Sequence, residues 1–80
     1  MADRSAIREN MEVISADGVH IGVVDHLIDG RMKLNRQDRS SGGKHHFLDL
    51  THVADVEGNT VRLAFNSELL GSFWDTEEDR

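Results

Sequence analysis

The sequence predicts a mainly β domain: a small six-stranded antiparallel β-barrel with a short C-terminal helix. Apolar residues recur at alternate positions over much of the chain, as in strands that bury one face. Three dipeptides, Asp17-Gly18, Asp29-Gly30 and Gly58-Asn59, interrupt this alternation, and such pairs close two-residue hairpins. Eighty residues leave room for one domain, so the strands are expected to curl into a closed or half-open barrel filled by side chains.

The alternation and the turns predict six strands, over residues 11–15, 19–28, 31–35, 45–50, 53–57 and 60–64. In the central hairpin, a two-residue loop at Asp29-Gly30 places Ile28 opposite Arg31 and Asp25 opposite Leu34. Side chains alternate between the two faces of a strand. The face expected to form the core carries Val19, Ile21, Val23, Leu27, Met32 and Leu34.

The other two hairpins are expected to follow the same rule. Their predicted cross-strand pairs are Val13 with Gly22, Ile14 with Ile21, Val56 with Val61, Ala54 with Leu63, and Asp55 with Arg62. The last of these pairs is expected to form an exposed ion pair that mainly specifies the register.

A short helix is expected after the last strand, from a cap at Asn66 or Ser67 to Trp74. Its apolar residues lie at i to i+4 spacing in two pairs, Leu69 with Phe73 and Leu70 with Trp74. Because Gly71 lowers the intrinsic stability of this helix, the helix requires packing against the rest of the domain.

Length, charge and cysteine content indicate a single domain and exclude several kinds of partner and chemistry. Residues 1–80 are expected to form a single domain with its core from about 11 to 74 and an acidic tail over 75–80. The formal charge of −6 argues against nucleic acid or anionic lipid as a partner, since these require clustered cations. The chain has no cysteine, which excludes thiol chemistry and disulfides. No membrane insertion is expected, and without an apolar leader the expected location is cytoplasmic.

Two segments carry a resemblance to a known family. The run Glu12–Asp25, with its Val-Ile strand, Asp-Gly turn and Ile-Gly-x-Val-x-Asp continuation, resembles the opening hairpin of PRC-barrel domains. The run His45–Val56 is similar to a late strand, corner and strand of the same domains. Its His-His-aromatic-aliphatic start and the closing helix with Trp74 resemble one small bacterial branch, domain of unknown function 2171. The resemblance covers roughly residues 7 to 74.

The resemblance implies a compact β-barrel that holds partners and has no chemistry of its own. PRC-barrel domains occur in the H subunit of the photosynthetic reaction centre and in a factor that matures the small ribosomal subunit. Asp49 departs from the family pattern, since relatives often have proline there. The branch itself implies no activity.

Four residues are expected to have structural roles. Asp25 interrupts the inward-facing pattern, which predicts a β-bulge whose buried carboxylate caps backbone N–H groups. A ligand or metal carboxylate and a solvent-facing edge position are the two alternatives. Gly18 and Gly30 supply the turn conformations. Gly22 allows another group to approach the strand closely.

A second apolar strip is expected on the outer face of the sheet, formed by Val13, Val24, Ile28 and Phe47. The C-terminal helix, with Trp74, is expected either to cover this strip or to leave it open as a site for a protein partner or a homodimer. The cationic loop with Arg36 and Arg39 would then attract an acidic partner.

Five histidines raise the possibility of a metal site, because imidazole is a common ligand of zinc and nickel. The sequence neighbours His45 and His46 point to opposite faces of a strand and cannot share one ion. His46 and His52 across the corner are the candidate ligands that remain. We expect no bound cofactor.

No nucleophile or phosphate-loop motif is present, so the chain is expected to lack enzymatic activity. The expected function is protein–protein or self-association. One alternative is a His-dependent metal-binding or sensing protein. The other is an RNA-associated accessory factor that binds through Arg31, Lys33, Arg36, Arg39 and Lys44.

Overall fold

One sheet of six strands makes up most of the domain. The computed structural model describes residues 4–35, 43 and 45–76. Its strands are β1 (Glu12–Ile14), β2 (His20–Ile28), β3 (Arg31–Leu34), β4 (His46–Asp49), β5 (Val53–Glu57) and β6 (Thr60–Leu63), extended by a two-residue strand β7 (Asp75–Thr76). Helix α1 spans Leu70–Phe73. The mainly β class is confirmed, and each predicted strand ends within one residue of the observed one.

The strand order is β5-β6-β1-β2-β3-β4-β7, which differs from a closed antiparallel barrel in two ways. β1 and β6 run parallel, with Val13 aligned with Val61. In the part of the chain that the structure describes, the outermost strands β5 and β7 do not pair, so the sheet stays open. A hairpin turn forces antiparallel pairing, but β1 and β6 are far apart in sequence and free of that constraint.

The first hairpin has a three-residue loop in place of the predicted two-residue one. Ser15 N–H donates to the Val19 carbonyl over 2.9 Å, and Gly18 N–H donates to the Ser15 carbonyl over 3.0 Å. Gly18 adopts φ 85°, as in a type I turn followed by a left-handed residue. The pairing of Val13 with Gly22 is confirmed, but the prediction for Ile14 is wrong because it lies opposite His20.

The central hairpin is confirmed near its turn and shifted beyond it. Asp29 and Gly30 have φ 48° and 79°, and Ile28 lies opposite Arg31. The register then shifts between Val24 and His26, so that Val24, not Asp25, lies opposite Leu34. The bulge predicted at Asp25 is therefore present.

The register of the third hairpin is also confirmed near its turn and shifted beyond a bulge. The pairing of Val56 with Val61 is confirmed. A shift between Val53 and Asp55 places Val53, not Ala54, opposite Leu63. Asp55 and Arg62 are opposite each other as predicted, yet their side chains bind elsewhere. Arg62 Nη1 donates to the Ala16 carbonyl over 3.3 Å, and the Asp55 carboxylate accepts from Val56 N–H over 2.9 Å.

The core contains Ile7, Met11, Val13, Ile21, Val24, Met32, Leu34, Leu48, Val53, Val61, Leu63 and Phe65. This set corrects the predicted faces of β1 and β2. Val13 and Val24, expected on an outer strip, are fully buried. Val19 and Leu27, expected inside, are 46% and 40% exposed, and Val23 is only half-buried. The bulge at Asp25 accounts for the exchange of Val23 and Val24, because the extra residue changes the face of the strand. Leu27 keeps its predicted partner Met32 but is exposed near the end of β2, and Val19 lies before β2 begins.

Candidate functional site

Two exposed large apolar side chains, Leu69 and Phe73, lie on the C-terminal helical segment. A 3₁₀ turn (Ser67–Leu69) leads into α1, and Leu69 and Phe73 lie one helical turn apart on the same side. Leu69 is 47% exposed and Phe73 is 41% exposed. We refer to these two residues, together with the rings of His52 and Phe65 that contact Phe73, as the C-terminal patch.

Aromatic contacts support Phe73 from below. Its ring centroid lies 4.7 Å from that of Phe65 and 4.8 Å from that of His52. Phe65 is buried and packs edge-on against His52 at 5.5 Å. Because its neighbours are themselves fixed by packing, Phe73 presents one face to solvent while its other face is held in place.

Asp17 from the first hairpin loop holds the start of this helical segment. Its carboxylate accepts hydrogen bonds from the Ser67 N–H and the Ser67 hydroxyl, each over 3.1 Å, and a further one from the buried Ser15 hydroxyl. Ala16 N–H donates to the Phe65 carbonyl over 2.8 Å. The hydrogen bonds from Ser15 and Ser67 lower the pKa of Asp17 below its ordinary value.

This capping role was missed by the sequence analysis, which assigned the cap to Asn66 or Ser67. The Asn66 side chain makes no capping hydrogen bond. Asp17 and Ser67 are 50 residues apart, so no local pattern connects them. The sequence does show that Asp17 lies in a tight hairpin loop. A carboxylate at such a position predicts a turn, however, and not the cap of a distant helix.

The opposite side of the helical segment faces the core. Leu70 and Trp74 pack against the buried cluster, and the Trp74 ring stacks on His46. His46 lies on β4 with Leu48, on the strand face that points inward. Two residues of the predicted outer strip, Val13 and Val24, belong to that same buried cluster. The helix is therefore attached to the core that contains them.

Ile28 and Phe47 are the members of the predicted strip that remain outside the core, and both are half-buried. The Arg31 guanidinium lies over the Phe47 ring, 4.8 Å from its centroid, and 3.9 Å from the Asp75 carboxylate. The predicted partner residues Arg36 and Arg39, and Lys44 of the cationic loop, lie outside the described residues. Phe47 pairs with Asp75 of β7, so this part of the predicted strip adjoins the segment that follows the helix.

The candidate metal ligands make ring contacts. His46 is buried against Trp74, and His52 contacts two phenylalanine rings. Over residues 4–35, 43 and 45–76 there is no group of three or more histidine, cysteine or carboxylate side chains that could hold a metal ion. The geometry offers no support for the metal-binding alternative.

Asp25 lies at the predicted bulge, but its carboxylate is half-buried and faces two histidines. Its Oδ2 lies 3.6 Å from His26 Nδ1 and 3.9 Å from His45 Nδ1. His45 Nδ1 is also 3.0 Å from the Leu34 carbonyl, which can only accept, so this nitrogen carries the proton. The close approach expected at Gly22 is made by Leu34, whose Cδ1 would lie 3.2 Å from an added Cβ.

Asp49 caps the 3₁₀ turn at the corner between β4 and β5. Its carboxylate accepts from Thr51 N–H over 2.9 Å at the start of the turn Leu50–His52. Hydrogen bonding by Thr51 lowers the pKa of Asp49. At this position, where the family resemblance would suggest proline, the carboxylate supports the turn that carries His52 into the patch.

The sequence model of one family, described as an uncharacterized protein conserved in bacteria (DUF2171), matches residues 7–70. The chain belongs to this family. The DUF2171 match includes all six main strands and the Asp17–Ser67 contact, whereas Phe73 and Trp74 lie beyond it. No curated protein and no solved structure matches the chain.

None of the helices in the described part of this DUF2171 protein is long and apolar enough to span a membrane.

Proposed function

We propose that this domain is a non-enzymatic module that associates with a protein through the C-terminal patch. The supporting observation is that, among the described residues, two of the four exposed large apolar side chains, Leu69 and Phe73, lie one helical turn apart, and that Phe73 packs on aromatic rings. Scattered exposed apolar residues are ordinary, but a contiguous group with a polar rim is typical of an interaction site. The other two are separated from each other: Val19 precedes β2, and Leu27 lies near the end of β2.

The charged groups support binding over catalysis. The two carboxylates with lowered pKa, Asp17 and Asp49, accept hydrogen bonds from hydroxyl or backbone groups at the starts of turns. A catalytic acid or base is usually tuned by burial or by a neighbouring charge, toward a pKa near the working pH. For Asp17 and Asp49, hydrogen bonds are the largest cause, and they lower the pKa, away from neutral pH.

Association through side chains is favoured over strand addition at β5. Strand addition requires a row of unpaired N–H and C=O groups along an edge. At this edge a bulge falls at Ala54, and Asp55 accepts from the N–H of Val56. Bulges and charged side chains are common protections of sheet edges.

The test compares three tagged proteins in a pull-down from the native cell lysate: the parent, Phe73→Ser and Leu27→Asn. Leu27 is a matched control because it is 40% exposed, against 41% for Phe73. We expect a protein that is retained by the parent and by Leu27→Asn but lost with Phe73→Ser. Identical retention by all three would disprove a role for the patch. Urea unfolding of each variant separates lost binding from lost folding.

We also propose that the fold is PRC-barrel-like, as a half-open form of that barrel. Support comes from the resemblance of Glu12–Asp25 and from β2, which pairs with β1 at one end and with β3 at the other. An experimental structure superimposed on known PRC-barrel domains tests this assignment. A different order of strands in those domains would reject it.

The proposed location is the cytoplasm. The absence of cysteine from the chain fits a reducing compartment, where disulfides are rare. Fractionation of cells that express the tagged protein tests the proposal, and recovery in a membrane or secreted fraction would contradict it.

A further inference from the structure

The C-terminal patch lies in the most acidic part of the chain. Residues 63–79 contain no lysine or arginine and five acids: Glu68, Asp75, Glu77, Glu78 and Asp79. With Arg80 included, the stretch to residue 80 has a formal charge of −4, against −6 for the whole chain. Glu68, next to Leu69, is exposed. The Asp75 side chain, two residues after Phe73, is 81% exposed.

Among the described residues, Arg31 forms a long ion pair with an acid of this region, and Arg62 bonds to the hairpin loop that holds Ser67. Arg31 Nη1 lies 3.9 Å from the Asp75 carboxylate, but its side chain is 42% exposed and also lies over Phe47. An ion pair with that exposure and separation is weak. Arg62 donates to the Ala16 carbonyl over 3.3 Å. The exposed carboxylates of Glu68 and Asp75 therefore carry negative charge close in sequence to Leu69 and Phe73.

We propose that the partner of the C-terminal patch is a basic amphipathic segment of another protein. This inference rests on the proposed function. Apolar side chains of the segment contact Leu69 and Phe73, and flanking lysines or arginines lie near Glu68 and Asp75. An apolar centre with complementary charges at the rim is the usual arrangement of a specific interface.

Charge also argues against a second copy of the chain as the occupant. In a two-fold symmetric contact each subunit presents the same surface to the other. Two patches in contact would bring the Glu68 and Asp75 carboxylates of both copies to one interface. Like charges placed together disfavour a complex, so the same acids that attract a basic segment oppose dimerisation.

The experiment uses three labelled peptides of about four helical turns, titrated with the full chain and followed by fluorescence anisotropy. The first carries leucines on one face and lysines elsewhere. The second has the same leucines with glutamates, and the third is a scrambled form of the first with no apolar face. We expect the first peptide to bind at least about tenfold more tightly than the others and to weaken at high salt.

Variants separate the apolar from the charged contribution. Glu68→Gln combined with Asp75→Asn removes the two charges at nearly constant shape, and we expect about threefold weaker binding and a smaller salt dependence. Phe73→Ser and Leu69→Asn remove the apolar contacts, and we expect losses of about tenfold or more. Leu27→Asn should bind like the parent. Unchanged Trp74 fluorescence in each free variant verifies that the helix stays docked.

Each adverse outcome has a distinct meaning. Equal binding of the glutamate or the scrambled peptide, or no binding of any peptide, overturns the basic segment as partner. If the parent then sediments as a dimer that Phe73→Ser dissociates, the occupant is a second copy and the proposed function stands. Peptide binding unaffected by Phe73→Ser and by Leu69→Asn, in a parent that does not dimerise, overturns both proposals.

Discussion

The imidazole of His46 stacks face to face on the indole of Trp74, with ring centroids 3.6 Å apart and planes 4° from parallel. The backbone N–H of Trp74 donates to the Leu70 carbonyl over 3.0 Å at the end of α1. The chain then extends into β7, where Thr76 pairs with His46. The C-terminal segment is therefore attached to β4 by a ring contact and by backbone pairing at the same residue.

A double-mutant cycle measures this stack. Trp74 is half-buried against the core, and its replacement by alanine should lower the free energy of unfolding by about 2–3 kcal/mol. Combining Trp74→Ala with His46→Ala should reveal a coupling of about 0.5–1.5 kcal/mol, the range for aromatic pairs. Urea unfolding of the parent, both single variants and the double variant provides the four values. Simple additivity would mean that the stack contributes nothing beyond burial.

Stability should depend on pH through Asp17. Its pKa in the folded protein is lowered from 3.8 by the hydrogen bonds of Ser15 and Ser67. A carboxylate with a lowered folded pKa stabilises the fold above the unfolded pKa and loses that effect as the pH falls through the folded pKa. Asp17→Asn should therefore lower Tm at neutral pH, and its difference from the parent should shrink below about pH 3.8.

The matched control for this prediction is Glu57→Gln, which removes one exposed negative charge at the end of β5. Thermal unfolding from neutral to acidic pH should give Glu57→Gln nearly the profile of the parent. A Tm difference for Asp17→Asn that stays constant at all pH values would show that the charge of Asp17 has no part in the contact.

Two adjacent valines test the bulge at Asp25. Val24 is fully buried and Val23 only half-buried, whereas unbroken alternation predicts the reverse. Val24→Ala should cost about 2 kcal/mol because two buried methyl groups are lost and a cavity remains. Val23→Ala should cost well under half as much. Equal values in chemical denaturation, or a larger one for Val23→Ala, would contradict the observed faces of β2.

Two glycines should respond to alanine in opposite directions. Gly30 has φ 79° in the central hairpin, a conformation that costs an L-residue about 1–2 kcal/mol, so Gly30→Ala should destabilise. Gly71 lies within α1 with nothing within 4 Å of an added Cβ. Gly71→Ala should stabilise by up to about 1 kcal/mol, because alanine favours helix. Melting temperatures of the two variants check the signs.

In the second and third hairpins the predicted registers hold near the turn and fail beyond the bulge. In the first hairpin the pair near the turn is wrong, and Val13 with Gly22 is confirmed. Ile28 opposite Arg31 and Val56 opposite Val61 follow from the adjacent dipeptides, because a short turn leaves the first pairs almost no freedom. The shifts near Asp25 and between Val53 and Asp55 change the later pairs. The bulge at Asp25 could be predicted from the sequence, because a carboxylate interrupted the apolar pattern. The bulge at Ala54 could not, because a small residue is compatible with either face of the strand.

The candidate site was predicted in its parts but not in its arrangement. The spacing of Leu69 with Phe73 and of Leu70 with Trp74 predicted a helix with two apolar sides. Which side would pack against the core depended on contacts with Phe65, His52 and His46, which come from other elements. Val13 and Val24 were assigned to the outer surface for the same reason, since the face of a strand depends on every bulge before it.

Local chemistry in the sequence determined the six strands, their turns, the mainly β class and the acidic C-terminal end, because each depends on residues within a few positions of one another. The tertiary structure decided the parallel contact of β1 with β6, the capping of Ser67 by Asp17 and the exposure of Leu69 and Phe73. These features join residues tens of positions apart. The chain adopts the arrangement that buries the most apolar surface while its polar groups keep their hydrogen bonds. These two contributions depend on contacts that exist only in the folded chain.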